Sequence, residues 1–266
     1  MEGPLRWGWM TTYLDRILEW HRREAEEDSR DLAQLVAAAR ECPPARGFAA
    51  ALRQGEGVAV IAEVKRRSPS KGQLAPELDP ALLAKAYTAA GAACLSVLTD
   101  SEFFGGSPVD LAEARSATEL PVLRKDFTVS PADVCDARIM GADAVLLIVS
   151  ALTDGELAEL LQLAREAGIE ALVEVHDEAE AEKALSGGAQ LVGVNQRDLF
   201  TFEVDSARAV RVGSSLPAGV VKVAESGIRT RGDVERLGAA GFDAVLVGEA
   251  LVTAPDPGAA LASLLR

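Results

Sequence analysis

From about residue 57 to its end, the chain alternates between short apolar runs of strand length and longer amphipathic runs of helix length. The predicted strands are 57–65, 93–99, 121–126, 143–149, 170–175, 190–195, 220–225 and 243–248. The predicted helices are 79–91, 107–118, 130–140, 153–167, 177–186, 205–212, 230–240 and 256–265. Eight strand–helix units in one chain of 266 residues predict an α/β fold, the (β/α)8 or TIM barrel.

Residues with special backbone preferences stand where these elements should begin and end. Glycines close five of the predicted helices, where a left-handed residue is favoured: Gly91, Gly141, Gly168, Gly188 and Gly241. Three helices are predicted to begin at Asp79-Pro80, Ser130-Pro131 and Thr153-Asp154. The alternative is a doubly wound open sheet, which usually has fewer units and a glycine-rich turn after its first strand. No GxGxxG motif follows the first strand here, so the barrel is favoured.

The segment before the first predicted strand is also patterned. Apolar residues at helical spacing occur in two groups separated by a charged run: Leu14, Ile17 and Leu18, then Leu32, Leu35 and Val36. We therefore divide the chain into an N-terminal helical extension, 1–50, packed on a barrel catalytic domain, 51–266. Met10 is an alternative start to Met1, and the first ten residues do not have the pattern of a signal peptide.

Charge and composition limit the partners. The formal net charge of −14 argues against nucleic acid or an anionic membrane, and it requires that any anionic substrate be held by locally gathered cations. With two histidines in the chain, we expect no metal site. The cysteines Cys42, Cys94 and Cys135 are far apart and form no CxxC motif, which predicts small buried residues in a reducing, cytoplasmic protein. A small-molecule substrate and a monomer or weak homo-oligomer are expected.

Polar residues recur near the carboxyl ends of five predicted strands, where a barrel of this kind has its active site. Alternation puts them on inward faces with the following distribution: Glu63 and Lys65 on the first strand, Lys125 and Phe127 on the third, Glu174 on the fifth, Asn195 on the sixth with Arg197 just beyond, and Glu225 on the seventh. Each one alone could be a surface residue on a misplaced strand. Five strands with the same late position predict an acid–base site.

The loops after the last two strands predict a second feature. Ser226-Gly227 and Gly248-Glu249 follow these strands, and many barrels bind phosphate there through backbone N–H groups. Three other strand-end residues are interpreted as structural. His176 is interpreted as a helix-entry residue, and Asp100 and Asp126 as anchors for neighbouring arginines or amides.

Sequence blocks in this order resemble the indole-3-glycerol-phosphate synthase family. They are IAEVKRRSPSKG (61–72), LSVLTDSEFFGG (95–106), VLRKDF (122–127), DAVLLIV (143–149), LVEVH (172–176), GVNQRDL (193–199), VAESGI (223–228) and AVLVGEAL (244–251). The resemblance covers 57–251, nearly the whole barrel, and the N-terminal helical extension is a family feature as well. Some members have Ser where this chain has Glu249, beside the phosphate.

The resemblance implies the substrate 1-(2-carboxyphenylamino)-1-deoxyribulose 5-phosphate, an anionic sugar phosphate, and no metal or cofactor. It implies that Lys125 is the general acid of ring closure and that Glu174 is the partner proton-transfer group of dehydration. The other implied catalytic residues are Lys65, Glu63, Asn195 and Ser226. The implied substrate-binding residues are Ser68, Ser70 and Arg197 at the carboxylate, Phe104 and Phe127 on either side of the aromatic ring, and Leu199 and Glu225. Phosphate would be held by Ser226, Gly227, Gly248 and Glu249.

Two alternatives remain. One is a different phosphate-binding barrel, an isomerase or an aldolase-like lyase acting on sugar phosphates. The other is an inactive barrel that serves as a binding protein. The Glu63 and Lys65 pair, the following SPSKG sequence and the N-terminal extension favour the synthase, and retention of every catalytic residue type argues against an inactive barrel.

Overall fold

The computed structural model describes residues 12–266, so the choice between Met1 and Met10 and the first part of the extension lie outside the described residues. Eight parallel strands close into one barrel in the order β1-β10-β9-β8-β7-β6-β5-β4, which confirms the (β/α)8 prediction. The barrel strands are β1 Ala59–Val64, β4 Cys94–Leu98, β5 Val122–Lys125, β6 Ala144–Ile148, β7 Glu170–Val175, β8 Leu191–Asn195, β9 Val221–Glu225 and β10 Ala244–Val247.

Helices follow the strands as the periodicity predicts. The predicted helices that surround the barrel are α4 Pro80–Ala90, α5 Pro108–Ser116, α6 Pro131–Ile139, α7 Asp154–Ala167, α8 Glu178–Ser186, α9 Arg208–Gly213, α10 Arg231–Ala239 and α12 Pro257–Leu265, and a further short helix, α11 Glu249–Val252, precedes α12. The predicted starts are confirmed, because the side chains of Asp79, Ser130 and Thr153 each accept a hydrogen bond from a backbone N–H of the first turn. Gly91 and Gly168 close their helices in the left-handed conformation.

Three short features, a hairpin, a helix and a 3₁₀ turn, were not predicted. Strands β2 (Arg67–Ser68) and β3 (Gly72–Gln73) form an antiparallel hairpin directly after β1. Helix α11 follows β10 before the last long helix, and a 3₁₀ turn, Val149–Ala151, follows β6. These segments are too short for periodicity to reveal them. All three stand after the carboxyl end of a barrel strand, so they shape the mouth of the barrel.

Alternation along each strand produces two apolar layers. Residues such as Val60, Val97 and Val145 face the helices in the outer layer. Residues such as Ile61 and Leu123 belong to the cluster inside the barrel. Cys94 and Cys135 are buried in these layers as predicted, and Cys42 is half-buried. Within residues 12–266, no helix is long and apolar enough to cross a bilayer.

The N-terminal segment closes both ends of the barrel. It forms α1 (Tyr13–Glu27), α2 (Leu32–Glu41) and α3 (Phe48–Ala51). Leu14 and Ile17 of α1 are buried in the interior cluster beside the mouth, whereas Phe48 is buried in the same cluster from the opposite side. There the backbone N–H of Phe48 donates to Glu170, the first residue of β7, at 2.8 Å. The predicted division at residue 50 falls inside α3.

Candidate active site

A cavity of about 400 Å³ opens at the carboxyl ends of the barrel strands. The structure brings every site residue predicted from the sequence to its lining. These are Glu63, Lys65, Ser68, Ser70, Phe104, Lys125, Phe127, Glu174, Asn195, Arg197, Leu199, Glu225, Ser226, Gly227, Gly248 and Glu249. Parallel strands end at one rim, so residues far apart in sequence meet there.

Lys125 is the centre of the acid–base cluster. Its Nζ lies 3.1 Å from Glu174 Oε2 and 3.7 Å from Glu225 Oε2, and both glutamates are buried. Asn195 Nδ2 donates to the other oxygen of Glu174 at 2.9 Å, which holds that carboxylate in place. The ends of β7, β8 and β9, together with the end of β5, which only β6 separates from β7, thus place one ammonium between two carboxyl groups.

The pKa values of these groups move apart. Burial alone would lower the pKa of Lys125, but the charges of Glu174, Glu225 and Glu63 outweigh burial and raise it, so the ammonium persists at neutral pH. Burial would raise the pKa of Glu174, yet Lys125 and then His176 hold it below its ordinary value. Burial and the neighbouring charge of Glu174 raise the pKa of Glu225 to about 8. One cation therefore balances one carboxylate, and the second carboxyl keeps its proton.

Lys65 forms a second ion pair in the same cavity, just after β1. Its ammonium makes an ion pair with Glu63, which lies two residues earlier, on β1. Gly248 leaves room for this pair, since a Cβ at that position would collide with the Glu63 carboxylate. Gly193 does the same for Glu225 on the neighbouring strand. Glycine fits both positions because a side chain there would occupy the space of a carboxyl group of the site.

Arginines and Glu249 form a polar rim. Arg197 is held by its Nη1, which donates to the carbonyl of Phe202 at 2.9 Å, and by its backbone N–H, which donates to Asn195 Oδ1 at 3.0 Å. The Glu249 carboxylate lies 3.4 Å from Arg229 and 3.9 Å from Arg197. The carboxylate therefore pairs with two arginines. The backbone N–H of Glu249, at the start of α11, takes no part in these ion pairs.

The loop after β9 has an unusual backbone. Ser226 and Gly227 both have positive φ, 65° and 73°, a conformation that is uncommon for a residue other than glycine. Gln196 Nε2 donates to the carbonyl of Ser226 at 2.7 Å and holds the turn. Strain of this kind is typical of functional sites. Together with Gly248, this loop forms the part of the rim where the sequence predicts phosphate.

The two serines predicted at the substrate carboxylate lie on the β2–β3 hairpin. Ser68 is half-buried, and its hydroxyl has no hydrogen-bond partner among the described residues. Ser70 is exposed at the cavity edge. A buried hydroxyl without a partner is costly, so Ser68 Oγ is a group that a bound ligand would satisfy.

The aromatic wall differs from the prediction in one respect. Phe104 and Phe127 were expected on either side of an aromatic ring, but their ring centres are 6.4 Å apart with a 36° tilt, and they pack against each other. An intervening ring needs about 7 Å, two contacts of about 3.5 Å each. In this structure the two rings form one wall, and a sandwich would require them to separate.

Helix α1 crosses the mouth; from the sequence we expected the N-terminal extension to cover the mouth near the loops after the first two strands, with the far end of the barrel as the alternative. Tyr13 packs edge-on against Phe103 of the loop after β4, at 5.9 Å, and against Phe202 of the loop after β8, at 5.7 Å. Tyr13, Leu14 and Ile17 line the cavity with Phe202. The sequence analysis did not assign these residues to the site. The apolar spacing of α1 showed that it must cover something, but not what it covers.

The strand-end residues interpreted as structural have that role. Asp126 contacts Arg124 Nη2 at 3.0 Å, and Asp100 accepts the backbone N–H groups of Phe103 and Phe104. His176 stands just before the cap of α8, and its backbone N–H donates to Glu180 at 2.7 Å. Its free Nε2 also lies 3.5 Å from Glu174 Oε1, a contact that the sequence did not reveal.

The closed barrel and this cavity define a (β/α)8-barrel enzyme with an acid–base centre at the carboxyl ends of its strands. Comparison with solved structures shows the same fold at low identity. Thiamine phosphate pyrophosphorylase from Pyrococcus furiosus has a TM-score of 0.59 at 18% identity, over 78% of this chain and 94% of that one. A structure described as native KDPGal has a TM-score of 0.55 at 18% identity, over 80% and 94%.

Sequence comparison identifies the particular family. The family model described as indole-3-glycerol phosphate synthase matches residues 14–264. Indole-3-glycerol phosphate synthase 2 of Streptomyces coelicolor is 53% identical over 92% of this chain and 93% of the relative. The enzyme of that name in Mycobacteroides abscessus is 51% identical over 96% and 94%, and that in Mycobacterium tuberculosis is 49% identical over the same shares. The chain belongs to the indole-3-glycerol phosphate synthase family, whose members are enzymes of tryptophan biosynthesis.

Proposed function

We propose that the chain is a carboxy-lyase that converts 1-(2-carboxyphenylamino)-1-deoxyribulose 5-phosphate into indole-3-glycerol phosphate, carbon dioxide and water. The observation that carries this proposal is the position of Lys125, an ammonium between two buried carboxyl groups in one cavity. Ring closure, decarboxylation and dehydration need proton donors and acceptors, and this cluster supplies both. The chain's own acids and bases suffice for these steps, so we propose no metal and no cofactor.

Lys125 is the proposed acid of ring closure. Its raised pKa keeps it protonated, so it can donate to the C2′ carbonyl oxygen as the aromatic carbon attacks the carbonyl carbon. The carbon that formed the new bond then loses its carboxyl group as carbon dioxide, and the electron pair left behind restores conjugation in the ring. The C2′ oxygen, now a hydroxyl, is the group that must leave in the last stage.

Glu174 is the proposed proton-transfer partner of dehydration. Its lowered pKa keeps it ionised at neutral pH, so it can accept a proton from C1′ while the C2′ hydroxyl takes up a proton from a lysine ammonium and leaves as water. Lys65 contacts substrate anions and is the alternative donor in this second stage. Glu63, which pairs with Lys65, and Asn195, which holds Glu174 beside Lys125, orient the two lysines and the sugar hydroxyls, and Glu225 supports the site from β9.

Anion binding is proposed at two parts of the rim. Ser68, Ser70 and Arg197 would hold the substrate carboxylate, and Phe104 and Phe127 its aromatic ring, with Leu199 beside them. The phosphate would bind to backbone N–H groups of the two glycine-containing loops, formed by Ser226, Gly227, Gly248 and Glu249. Pairing of the Glu249 side chain with Arg229 supports this, because it keeps the carboxylate occupied elsewhere.

The direct test adds the carboxyphenylamino substrate to the purified chain and follows the rise of indole fluorescence. We expect turnover without added metal, and equimolar release of carbon dioxide. A folded protein that forms no indole product would favour the inactive barrel, and sugar-phosphate isomerisation or cleavage in its place would favour the other barrel enzymes. The expectations of a cytoplasmic protein, monomeric or weakly homo-oligomeric, with no nucleic-acid or membrane partner, stay predictions.

A further inference from the structure

His21 lies at the junction of α1 and the barrel, outside the proposed reaction chemistry. Its Nε2 is 2.8 Å from Asp100 Oδ2, just after β4, and 3.9 Å from Asp126 Oδ1, just after β5. The side chains of His21, Asp100 and Asp126 are 12%, 1% and 4% exposed. An almost fully buried carboxylate requires a partner. Among the ion pairs of residues 12–266, His21 is the basic partner that Asp100 has.

The same imidazole contacts one aromatic ring of the cavity wall directly and is linked to the other through Asp100, without lining the cavity itself. Its ring stacks on Phe127 with centres 5.6 Å apart and a 27° tilt. The other oxygen of Asp100 accepts the backbone N–H groups of Phe103 and Phe104, at 2.6 and 2.9 Å. His21 therefore supports Phe127 directly and Phe104 through Asp100. Both rings line the reaction cavity, whereas His21 lines a separate polar cavity of about 500 Å³.

We propose that His21 is a positioning residue for substrate binding: its imidazole ties α1 to Asp100 and thereby holds the Phe104 and Phe127 wall in place. The proposal rests on the proposed function only in naming an aromatic substrate for that wall. It predicts that α1 docks most firmly while the imidazole is charged, since a charge-assisted hydrogen bond is stronger than a neutral one.

The charged groups around His21 favour this protonated form. Burial would lower the pKa of His21, but the hydrogen bond to Asp100 and the charges of Asp126 and Asp133 outweigh burial and raise it. Arg124 opposes them in part, because it pairs with Asp126, and Glu24 of α1 lines the same polar cavity. Because the pKa of His21 is raised in the folded state, the stabilisation of the fold by the His21–Asp100 pair is complete below about pH 6.5. It is lost as the pH rises through the higher folded-state pKa.

A metal centre is the competing explanation of the same three residues, whose donor atoms lie within 4.8 Å of one another. The hydrogen bonds argue against it. Asp126 Oδ1 accepts the backbone N–H of Phe127 at 2.9 Å, and Asp126 Oδ2 accepts from Arg124 and Thr99. Asp100 is likewise bonded through both oxygens. The carboxylate oxygens are already satisfied by protein donors, so the cluster is complete as a hydrogen-bond network.

Steady-state kinetics of two variants separate the parts of this role. His21→Phe keeps a ring against Phe127 and removes the bond to Asp100, whereas His21→Gln keeps a hydrogen-bonding group that does not titrate. For His21→Phe we expect KM to rise about tenfold, within the range for a hydrogen bond to a charged group, with kcat within about twofold. The wild-type KM should rise with pH above the His21 pKa, and that dependence should vanish in His21→Gln. Glu19→Gln, at an exposed position of α1, is the control.

Nuclear magnetic resonance tests the positioning without any substrate. The chain has two histidines, so a His176→Gln variant assigns the imidazole signals of His21 unambiguously. We expect His21 to titrate above its ordinary pKa and the amide signals of Phe103, Phe104 and Phe127 to titrate with it. In His21→Gln, the amide signals of these phenylalanines should not show this titration.

Several results would overturn the proposal. The first is that His21 titrates at its ordinary pKa and the phenylalanine amide signals do not move. The second is that the KM of His21→Phe lies within about twofold of the wild-type KM. The third is that the purified chain holds stoichiometric zinc and that its removal by a chelator abolishes the shift of the His21 signal. A wild type that makes no indole product would instead refute the proposed function, and the amide titration would still decide the role of His21.

Discussion

Replacement of Lys125 by methionine is the sharpest test of the acid–base centre. Methionine approximates the volume of the aliphatic stem and removes the ammonium that lies 3.1 Å from Glu174 and 3.7 Å from Glu225. Two functions are lost together. The proposed proton donor of ring closure disappears, and so does the charge that holds the pKa of Glu174 below its ordinary value.

The magnitude follows from these two losses. General acid catalysis contributes roughly 10²–10⁴-fold to a rate, and the loss of the charge that lowers the pKa of Glu174 would add to the deficit. Breaking a buried ion pair costs about 3–5 kcal/mol when the remaining charge stays ionised. Here the glutamates can take up protons, so the loss of melting temperature should be smaller at about pH 5 than at about pH 8. We therefore expect kcat to fall at least about 100-fold in a protein that still folds.

Indole fluorescence at saturating substrate measures kcat, and circular dichroism melts at the two pH values measure stability. Lys85→Met is the matched control, since Lys85 is exposed on α4, away from the cavity. It should leave kcat and the melting temperature nearly unchanged. If Lys125→Met kept more than about a tenth of the wild-type kcat, the assignment of Lys125 as the acid would be wrong, because even the low end of the range exceeds tenfold.

Three further predictions concern the rim, the second carboxyl and the N-terminal segment. Crystals soaked in sulfate or phosphate should show an anion at the N–H groups of Gly227 and Gly248, and an anion bound only on the outer helices would contradict the phosphate site. Between about pH 5 and pH 8, the melting temperature of Glu225→Gln should fall less than that of the wild type, by at least about 2 °C. The reason is that a carboxyl whose pKa rises to about 8 on folding destabilises the wild-type fold increasingly over this interval. Truncation to about residue 45 should leave a folded barrel, because Phe48 still closes the far end, with a lower melting temperature, a higher KM and a moderately lower kcat. Unchanged kinetics in this truncated protein would show that α1 serves stability alone.

Much of the barrel was predictable because its signals are local. Each strand–helix unit carries its own change of hydrophobic period, and caps such as Ser130 and Thr153 bond to residues three positions away. The strand-end residues were predictable for a related reason. Alternation along a strand assigns Glu63 or Glu225 to the inner face, and the parallel barrel then brings all such residues to one rim.

The chemistry between these residues was decided by tertiary structure. The sequence determined that Lys125, Glu174 and Glu225 share the mouth of one barrel, but the carboxyl that keeps its proton depends on which glutamate lies nearer the ammonium. The direct contact of Phe104 with Phe127 likewise depends on how two loops fold over the rim.

The N-terminal segment shows the same limit most clearly. Its apolar spacing determined that α1 must cover a surface, and only the fold decided that α1 lies across the mouth while Phe48 closes the other end. The pairing of His21 with Asp100 joins residues separated by 79 positions. Neither residue has a local pattern that predicts the other, because a contact of this kind arises only when the barrel brings distant segments together.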